Sequence, residues 1–214
     1  MKRYVCALLL MLAVSGASAG VIFSEDFEGG VNPSFVTAGN IISGTEFEVV
    51  SGSVDYIKPP SAYAVMCGAG GSCIDTTGSG TRGEIRTIAA IDFLPGIYYL
   101  SFNLQGWKDF NNLTRSASIQ VLIPGLLDVT LSRNGANNPY DLEWMQFVVP
   151  TSQSVKLTFR DLSGNAGFAG AILDDVEIGT STPEPSSLLL ILSGFAALAV
   201  LRRRSVKGNR RKTV

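Results

Sequence analysis

The sequence predicts an all-β protein, an antiparallel β-sandwich of ten short strands that lies between two terminal segments of a different kind. Three observations support this fold class. Apolar and polar residues alternate along several short segments, Gly, Pro, Asn and Asp separate those segments, and no segment shows a convincing helical period. The clearest alternation runs from Ile97 to Leu104, which is typical of a half-buried strand.

The N-terminal segment has the pattern of a signal peptide. Lys2 and Arg3 precede an apolar run from Val5 to Val14, and Ala17-Ser18-Ala19 supplies the small residues that a signal peptidase cleaves after. We therefore expect residues 1–19 to be removed, the mature chain to begin at Gly20, and the protein to be exported across the inner membrane.

The body, residues 20–180, has the size of one domain and a strongly acidic balance. The whole chain has a formal charge of −1, but nine of its seventeen basic residues lie in the two terminal segments. The body keeps eight basic residues against seventeen acidic ones, a balance of about −9. We expect no nucleic-acid partner, because phosphate binding requires a basic face, whereas an acidic surface suits divalent cations.

The strands predicted in the body are short and separated by turns. Trp144 lies inside an apolar strand, so we expect it to belong to the core. The predicted strands are Val21–Phe27, Phe47–Val50, Tyr63–Met66, Glu84–Ile91, Ile97–Leu104, Ser118–Ile123, Leu127–Leu131, Glu143–Val149, Ser154–Arg160 and Ala171–Ile178.

Cys67 and Cys73 are the only cysteines of the mature domain. In an oxidising exported compartment, an isolated pair separated by a flexible Gly-rich segment favours a disulfide over a metal site. A loop this short is expected to act as a local clip and to stabilise by less than the roughly 3 kcal/mol of a fifteen-residue loop. The alternative is a pair of free thiols.

The sequence offers little for catalysis. It contains no histidine, which removes Ser-His-Asp and Cys-His nucleophile systems and histidine-based metal sites. Glycoside hydrolysis needs only two carboxylates, but seventeen acidic residues make some close pair inevitable, so such a pair is not evidence. We expect a non-catalytic protein.

Two polar loops with an aromatic residue are candidates for sugar binding, because sugar rings present apolar faces beside their hydroxyl groups. Trp107 lies where a strand enters the loop Gly106–Asn112, and Tyr140 lies in the loop Asn137–Asp141. We predict that Trp107 and Tyr140 bind a polysaccharide. The alternative is structural, with Trp107 capping the core and Tyr140 packing at a turn.

The last predicted strand contains an unusual carboxylate. Strict alternation places Asp174 on the same face as Ile172, Val176 and Ile178, and a charge on a core-facing side is costly unless it is paired or metal-bound. The alternative is that Asp174 lies at an edge of the sandwich and accepts hydrogen bonds from backbone amides.

Four motifs of the body occur in an informative order: Asp26-Phe27-Glu28-Gly29-Gly30, Leu94–Phe102, Glu143–Phe147 and Ala171–Val176. Together they resemble the carbohydrate-binding-module type of jelly roll in the galactose-binding-like superfamily. The resemblance implies a structural calcium held by Glu28 and Asp174, with Asp26 as a lesser candidate, and oxygen ligands suit calcium. The tryptophan often found after the opening motif is absent, and Phe35 is the nearest aromatic residue.

The C-terminal segment has three parts. Residues 181–187 contain Pro183-Glu184-Pro185, an extended and exposed stretch, because proline fixes φ and removes a backbone donor. Residues 188–201 are an uncharged apolar run of fourteen residues, predicted to be a transmembrane helix although it is shorter than the roughly 20 residues that usually span a bilayer. Residues 202–214 contain seven basic residues, including Arg202, Arg203 and Arg204, which favour a cytoplasmic tail.

This order resembles the PEP-CTERM sorting signal of bacterial exported proteins. The resemblance implies a transient stay in the inner membrane, processing near Pro183-Glu184-Pro185 by an exosortase-type protease, and delivery to the cell surface or extracellular matrix. The alternative is an ordinary tail anchor. The leading hypothesis is thus a surface-sorted protein that binds extracellular polysaccharide, and its alternatives are a structural or adhesive matrix protein and a glycoside hydrolase.

Overall fold

The computed structural model describes residues 20–181, apart from residues 32–34, 68–70, 79, 109–112, 136–140 and 165–168. The predicted signal peptide, apolar helix and basic tail lie outside the described residues, as do Pro183, Glu184, Pro185 and Tyr140.

The described residues form eighteen strands and one short 3-10 helix, η1 (Ala62–Met66), which confirms the all-β prediction. The strands are β1 (Val21–Glu25), β2 (Phe35–Thr37), β3 (Phe47–Ser51), β4 (Ser53–Ile57), β5 (Cys73–Asp75), β6 (Thr77–Gly78), β7 (Thr81–Arg82), β8 (Glu84–Thr87), β9 (Ile91–Phe93), β10 (Gly96–Gln105), β11 (Trp107–Lys108), β12 (Thr114–Arg115), β13 (Ala117–Ile123), β14 (Leu127–Arg133), β15 (Asp141–Val149), β16 (Gln153–Val155), β17 (Thr158–Asp161) and β18 (Ile172–Thr180).

Two antiparallel sheets form the sandwich. Sheet A has the strand order β15-β10-β18-β5-β4-β2, and β1 also pairs with β18. Sheet B has the order β14-β13-β17-β8-β3. Three two-stranded ladders, β11–β12, β9–β16 and β6–β7, connect and extend these sheets.

The core lies between the sheets and is rich in aromatic residues. Along β10 the side chains of Tyr98, Leu100, Phe102 and Leu104 are buried, as their alternation predicts. The ring of Phe102 in sheet A meets that of Phe159 in sheet B edge to face, with centroids 5.2 Å apart. Burial of such apolar side chains from both sheets is the main force that holds the sandwich together.

Three predicted strands are wrong in detail. Glu84–Ile91 ends as β8 at Thr87, and Ile91 begins the separate strand β9. Tyr63–Met66 is not a strand but most of η1, because Ser61 caps it by accepting a hydrogen bond from the Tyr63 amide. Ser154–Arg160 divides into β16 and β17, which pair with different strands, β9 and β8.

The sandwich has two ends, which β10 connects. The terminal end holds Gly96 and both ends of the domain, where Gly20 and Thr180 exchange hydrogen bonds; its segments are 20–22, 88–97, 123–127, 148–154 and 179–181. The distal end holds Gln105; its described segments include 58–67, 71–72, 106–108, 113–116 and 169–171. These two names are used below.

Candidate functional site

A groove of about 970 Å³ lies on the outer face of sheet A at the distal end. The outer face is the one turned away from the core between the sheets. Aromatic and charged side chains line the groove together, including Phe35, Asp55, Lys58, Tyr63, Trp107 and Arg115.

Strand alternation explains why polar groups reach this groove. Val54 and Tyr56 of β4 belong to the core, so Asp55 between them faces outward. In the register of the sheet, Asp55 pairs with Phe35 of β2 on one side and with Asp75 of β5 on the other. One row across three strands therefore presents an aromatic ring beside two carboxylates.

The two carboxylates differ in their partners. Asp75 is buried, and its Oδ1 accepts hydrogen bonds from the amides of Thr77 and Gly170, both at 2.9 Å. Its pKa lies well above the usual range, chiefly because of burial. Asp55 is half-buried, burial raises its pKa to about 6, and no donor among the described residues bonds its carboxylate. Asp55 is therefore the acceptor that a ligand in the groove would meet.

Trp107 belongs both to a buried cluster and to the lining of the groove. It is only 8% exposed and belongs to a small second cluster with Ile57, Met66, the disulfide and Ile172. The same side chain also lines the groove. Its position in β11, held against Arg115 of β12, fixes this part of the groove wall.

The predicted disulfide between Cys67 and Cys73 is present, with Cα atoms 5.2 Å apart. It joins the end of η1 to the start of β5, so it clips the helix that carries Tyr63 onto sheet A. The side-chain amide of Gln105 also donates to the Met66 carbonyl. The groove is thus built on a covalently fixed wall.

A second aromatic surface on sheet A was missed by the sequence analysis. Trp144 was predicted in the core, which is wrong, since it is 57% exposed. Its neighbours Glu143 and Phe147 point inward, and the ring of Trp144 stacks on Tyr99 with centroids 6.4 Å apart and planes 17° apart. Both faces of β15 carry large apolar residues, so composition alone did not show which one is outward.

The closing strand β18 does not follow the predicted alternation. Asp175 has a positive φ of 49°, and the register with β10 shifts between Ser101 and Asn103. This bulge resets the side-chain alternation. Asp174 therefore pairs with Asn103 and does not share the core-facing side of Val176 and Ile178, so its predicted core-facing position is wrong.

The predicted calcium ligands lie near one another, but backbone amides already bond two of them. Asp174 is 8% exposed, and burial together with the charges of Asp175, Glu28 and Asp26 raises its pKa to about 8. Glu28, however, accepts a 2.6 Å hydrogen bond from the Ser72 amide, and Asp26 accepts from the Glu28 amide. No group of three acidic or cysteine side chains within the described residues is placed to hold a metal ion. Carboxylate oxygens suit calcium, but main-chain oxygens would have to complete such a site.

Comparison with known proteins identifies the C-terminal motif. Residues 181–204 match the PEP-CTERM protein-sorting motif, which implies export and sorting to the cell surface. Within the described residues, no helix is long and apolar enough to cross a membrane. No curated protein matches the chain.

Among solved structures, the chain is similar to carbohydrate-binding modules, the type of domain that its motifs resemble. One is the C-terminal CBM6 of the laminarinase LamC from Zobellia galactanivorans, with 11% identity, a TM-score of 0.44, and coverage of 77% of this chain and 100% of that chain. Another is the xylan-binding CBM22-1 of Paenibacillus barcinonensis Xyn10C, with 14% identity, a TM-score of 0.40, and coverage of 79% and 100%. A third is the K1 cleaved adhesin domain of Lys-gingipain from Porphyromonas gingivalis W83, with 17% identity, a TM-score of 0.46, and coverage of 78% and 100%.

Proposed function

We propose that the PEP-CTERM motif delivers a non-catalytic, polysaccharide-binding β-sandwich to the cell surface or extracellular matrix. In this proposal, the chain crosses the inner membrane, is held there through residues 188–201, and is processed near Pro183-Glu184-Pro185 by an exosortase-type protease. The matched motif at residues 181–204 supports the sorting steps. The distal groove supports the binding step.

The observation that carries the binding proposal is the pairing of an acceptor with aromatic side chains in one groove. Asp55 lacks a donor partner among the described residues, while the exposed ring of Tyr63 and the edge of Trp107 border the same space. Carbohydrates match this chemistry, because a sugar ring packs its C–H face on an aromatic ring and donates hydroxyl protons to a carboxylate. Lys58 and Arg115 add donors for sugar oxygens.

The test is binding of the secreted domain to a glycan array, followed by titration of the best ligand. We expect Asp55→Asn to weaken binding by about tenfold, since a hydrogen bond to a charged group contributes about 1.5–3 kcal/mol. Tyr63→Ala should also weaken binding, because it removes an aromatic ring on which a sugar could pack. Trp144→Ala, on the exposed surface outside the groove, is the matched control. Unchanged affinity in both groove variants would refute the groove as the binding site. Release of reducing sugar would refute a non-catalytic role.

A second candidate function is adhesion through protein–protein association, and the exposed edge of sheet A favours it. Among the described residues, strand β15 pairs with β10 alone, and its outward residues Leu142, Trp144 and Val148 are strongly exposed. Long apolar edge strands tend to pair with other chains. Sedimentation at increasing concentration tests this candidate, because self-association that Trp144→Lys abolishes, without any glycan binding, would favour it over the groove.

We also propose that Ca²⁺ binds beside Asp174 and Glu28, with Asp26 as a further oxygen donor. Burial is the main cause of the raised pKa of Asp174, and the charges of Asp175, Glu28 and Asp26 add to it. The negative potential of these carboxylates supports the proposal, because a divalent cation would relieve it. Bound calcium would keep Asp174 ionised and stabilise the contact between β1 and β18. Thermal unfolding at pH 8 should occur at a higher temperature in Ca²⁺ than in EDTA, and Asp174→Asn should remove most of that difference; an equal effect in both proteins would contradict the site.

A further inference from the structure

The terminal end exposes five large aliphatic side chains. Leu94, at the β9–β10 turn, is 70% exposed, and Val148 at the end of β15 is 62% exposed. Val21, Ile22 and Ile97 are exposed as well. These residues come from three separate parts of the sequence, and the strand pairing brings them to one end of the sandwich.

The same surface carries little charge, although the exposed Glu46 lines a pocket with Ile22 and Asp92 at its border. Asp92 is the only charged residue in the segments that form the terminal end. The body as a whole carries twenty-five charged residues, so this end differs sharply from the rest of the domain. A surface that only has to be soluble would not be expected to concentrate exposed aliphatic groups where charge is lacking.

The chain leaves the domain from the middle of this surface. Ser181 is fixed by two hydrogen bonds, one from its amide to the Ile97 carbonyl and one from the Gln146 side chain to its hydroxyl, both 2.8 Å long. Only residues 182–187 separate Ser181 from the apolar run that begins at Leu188. The seven residue steps from Ser181 to Leu188 span at most about 25 Å when fully extended, which limits how far the intact chain lets the apolar run lie from Ser181.

We propose that the terminal end lies in the headgroup region of the lipid bilayer while the chain is still held by residues 188–201. This inference rests on the membrane-held stage of the proposed function. The aliphatic side chains of Leu94, Ile97 and Val148 enter the boundary between headgroups and acyl chains, where apolar groups leave water without needing specific partners. The lack of basic residues makes the contact independent of anionic lipid.

The lipid contact also determines which end of the sandwich faces away from the membrane. With the terminal end on the lipid, the distal groove points away from the membrane, at the far end of β10. The precursor would then present its proposed glycan site to the exported side before the protease releases it.

The experiment uses the exported precursor, Gly20–Val214, reconstituted in vesicles of zwitterionic phosphatidylcholine. Leu94→Cys and, as a matched control, Val65→Cys are each labelled with an environment-sensitive fluorophore. Val65 is an equally suitable site, since it is also an exposed aliphatic residue, 57% exposed, but lies at the distal end in η1. The disulfide protects Cys67 and Cys73 from the label.

We expect brominated lipid to quench the label at position 94 by about twofold or more, because interfacial side chains reach the upper acyl region, and to leave position 65 unaffected. Addition of anionic lipid should not change this result. If the precursor floats with the vesicles but position 94 is quenched no more than position 65, the lipid contact is refuted while the membrane-held stage stands. If the precursor does not float with the vesicles, both proposals fail.

Discussion

The distal and terminal ends of the sandwich are built from the same strands but differ in chemistry. The distal end carries the groove, the disulfide and the half-buried Asp55, whereas Asp92 is the only charged residue in the segments of the terminal end. The ten residues of β10 separate the two ends by about 30 Å. A single small domain can therefore bind a polar ligand at one end and meet an apolar surface at the other.

The difference in chemistry between the two ends also affects the stability of the folded domain. Away from the terminal end, burial raises the pKa of Asp75, Asp174 and Glu25, so their ionised forms are costly in the folded state. The terminal end has no buried carboxylate among its described residues. Of the groove carboxylates, Asp75 and Asp55 carry this cost, and the described residues of the terminal end are free of it.

The largest effect should follow from changing the motif that lies just beyond the terminal end. Pro183→Ala/Pro185→Ala should leave nearly all of the protein unprocessed in the inner membrane, because the protease loses its extended recognition segment. Intact mass and cell fractionation in the native host measure this. If wild type and variant both retain residues 188–214, the tail is a simple anchor and the sorting proposal is wrong.

Breaking the disulfide should damage the distal end and spare the terminal end. Cys67→Ser/Cys73→Ser removes the clip between η1 and β5, and we expect a loss of about 1–2 kcal/mol in the free energy of unfolding, below the roughly 3 kcal/mol of a fifteen-residue loop. Denaturant unfolding measures the loss. Hydrogen exchange should increase in residues 58–67 but not in residues 88–97. An equal increase in both segments would contradict a local role of the disulfide at the distal end.

Asp174 should make stability depend on pH. Its pKa rises from 3.8 to about 8 on folding, so the folded state holds an extra proton between these values. The contribution of the protonated Asp174 carboxyl group to the free energy of unfolding is therefore complete below about pH 4 and is lost as the pH rises through 8. In EDTA, the melting temperature of Asp174→Asn should fall by a few degrees less than that of wild type as the pH rises from 5 to 8.5. Parallel curves for the two proteins would show that Asp174 does not titrate in this way.

The smallest effect should come from exposed aliphatic residues at the two ends. Leu94→Gln and Val65→Gln should each change the free energy of unfolding by less than about 0.5 kcal/mol, because neither side chain is buried in the domain. Thermal unfolding without lipid measures this. A large loss for Leu94→Gln would mean that Leu94 serves the fold and not an external surface.

The sequence predicted the sandwich well where one face of a strand is apolar and the other polar. The alternation of β10 gave its core residues Tyr98, Leu100, Phe102 and Leu104 correctly. It failed where both faces are apolar, as at Trp144, and where a bulge resets the alternation, as at Asp175. Positive φ at a non-glycine residue depends on tertiary contacts, which a local pattern does not contain.

The candidate site was predicted only in part. Trp107 was singled out because it follows a strand and enters a polar loop, and it does line the groove. Asp55 and Phe35 were not connected to it, because β2 and β4 are short strands that were not predicted. Their register opposite one another depends on long-range pairing. Asp55 is a single charged residue between Val54 and Tyr56, and this pattern indicates an outward carboxylate only once β4 is known to be a strand.

The most direct test of the central claim, that the distal groove binds polysaccharide, is hydrogen–deuterium exchange of the secreted protein with and without its best glycan ligand. We predict slower exchange in residues 55–66, 106–108 and 113–116, segments that contain residues lining the groove, and no change in residues 88–97 at the terminal end. Protection confined to β15 around Trp144, or to the terminal end, would contradict the claim and place the ligand elsewhere.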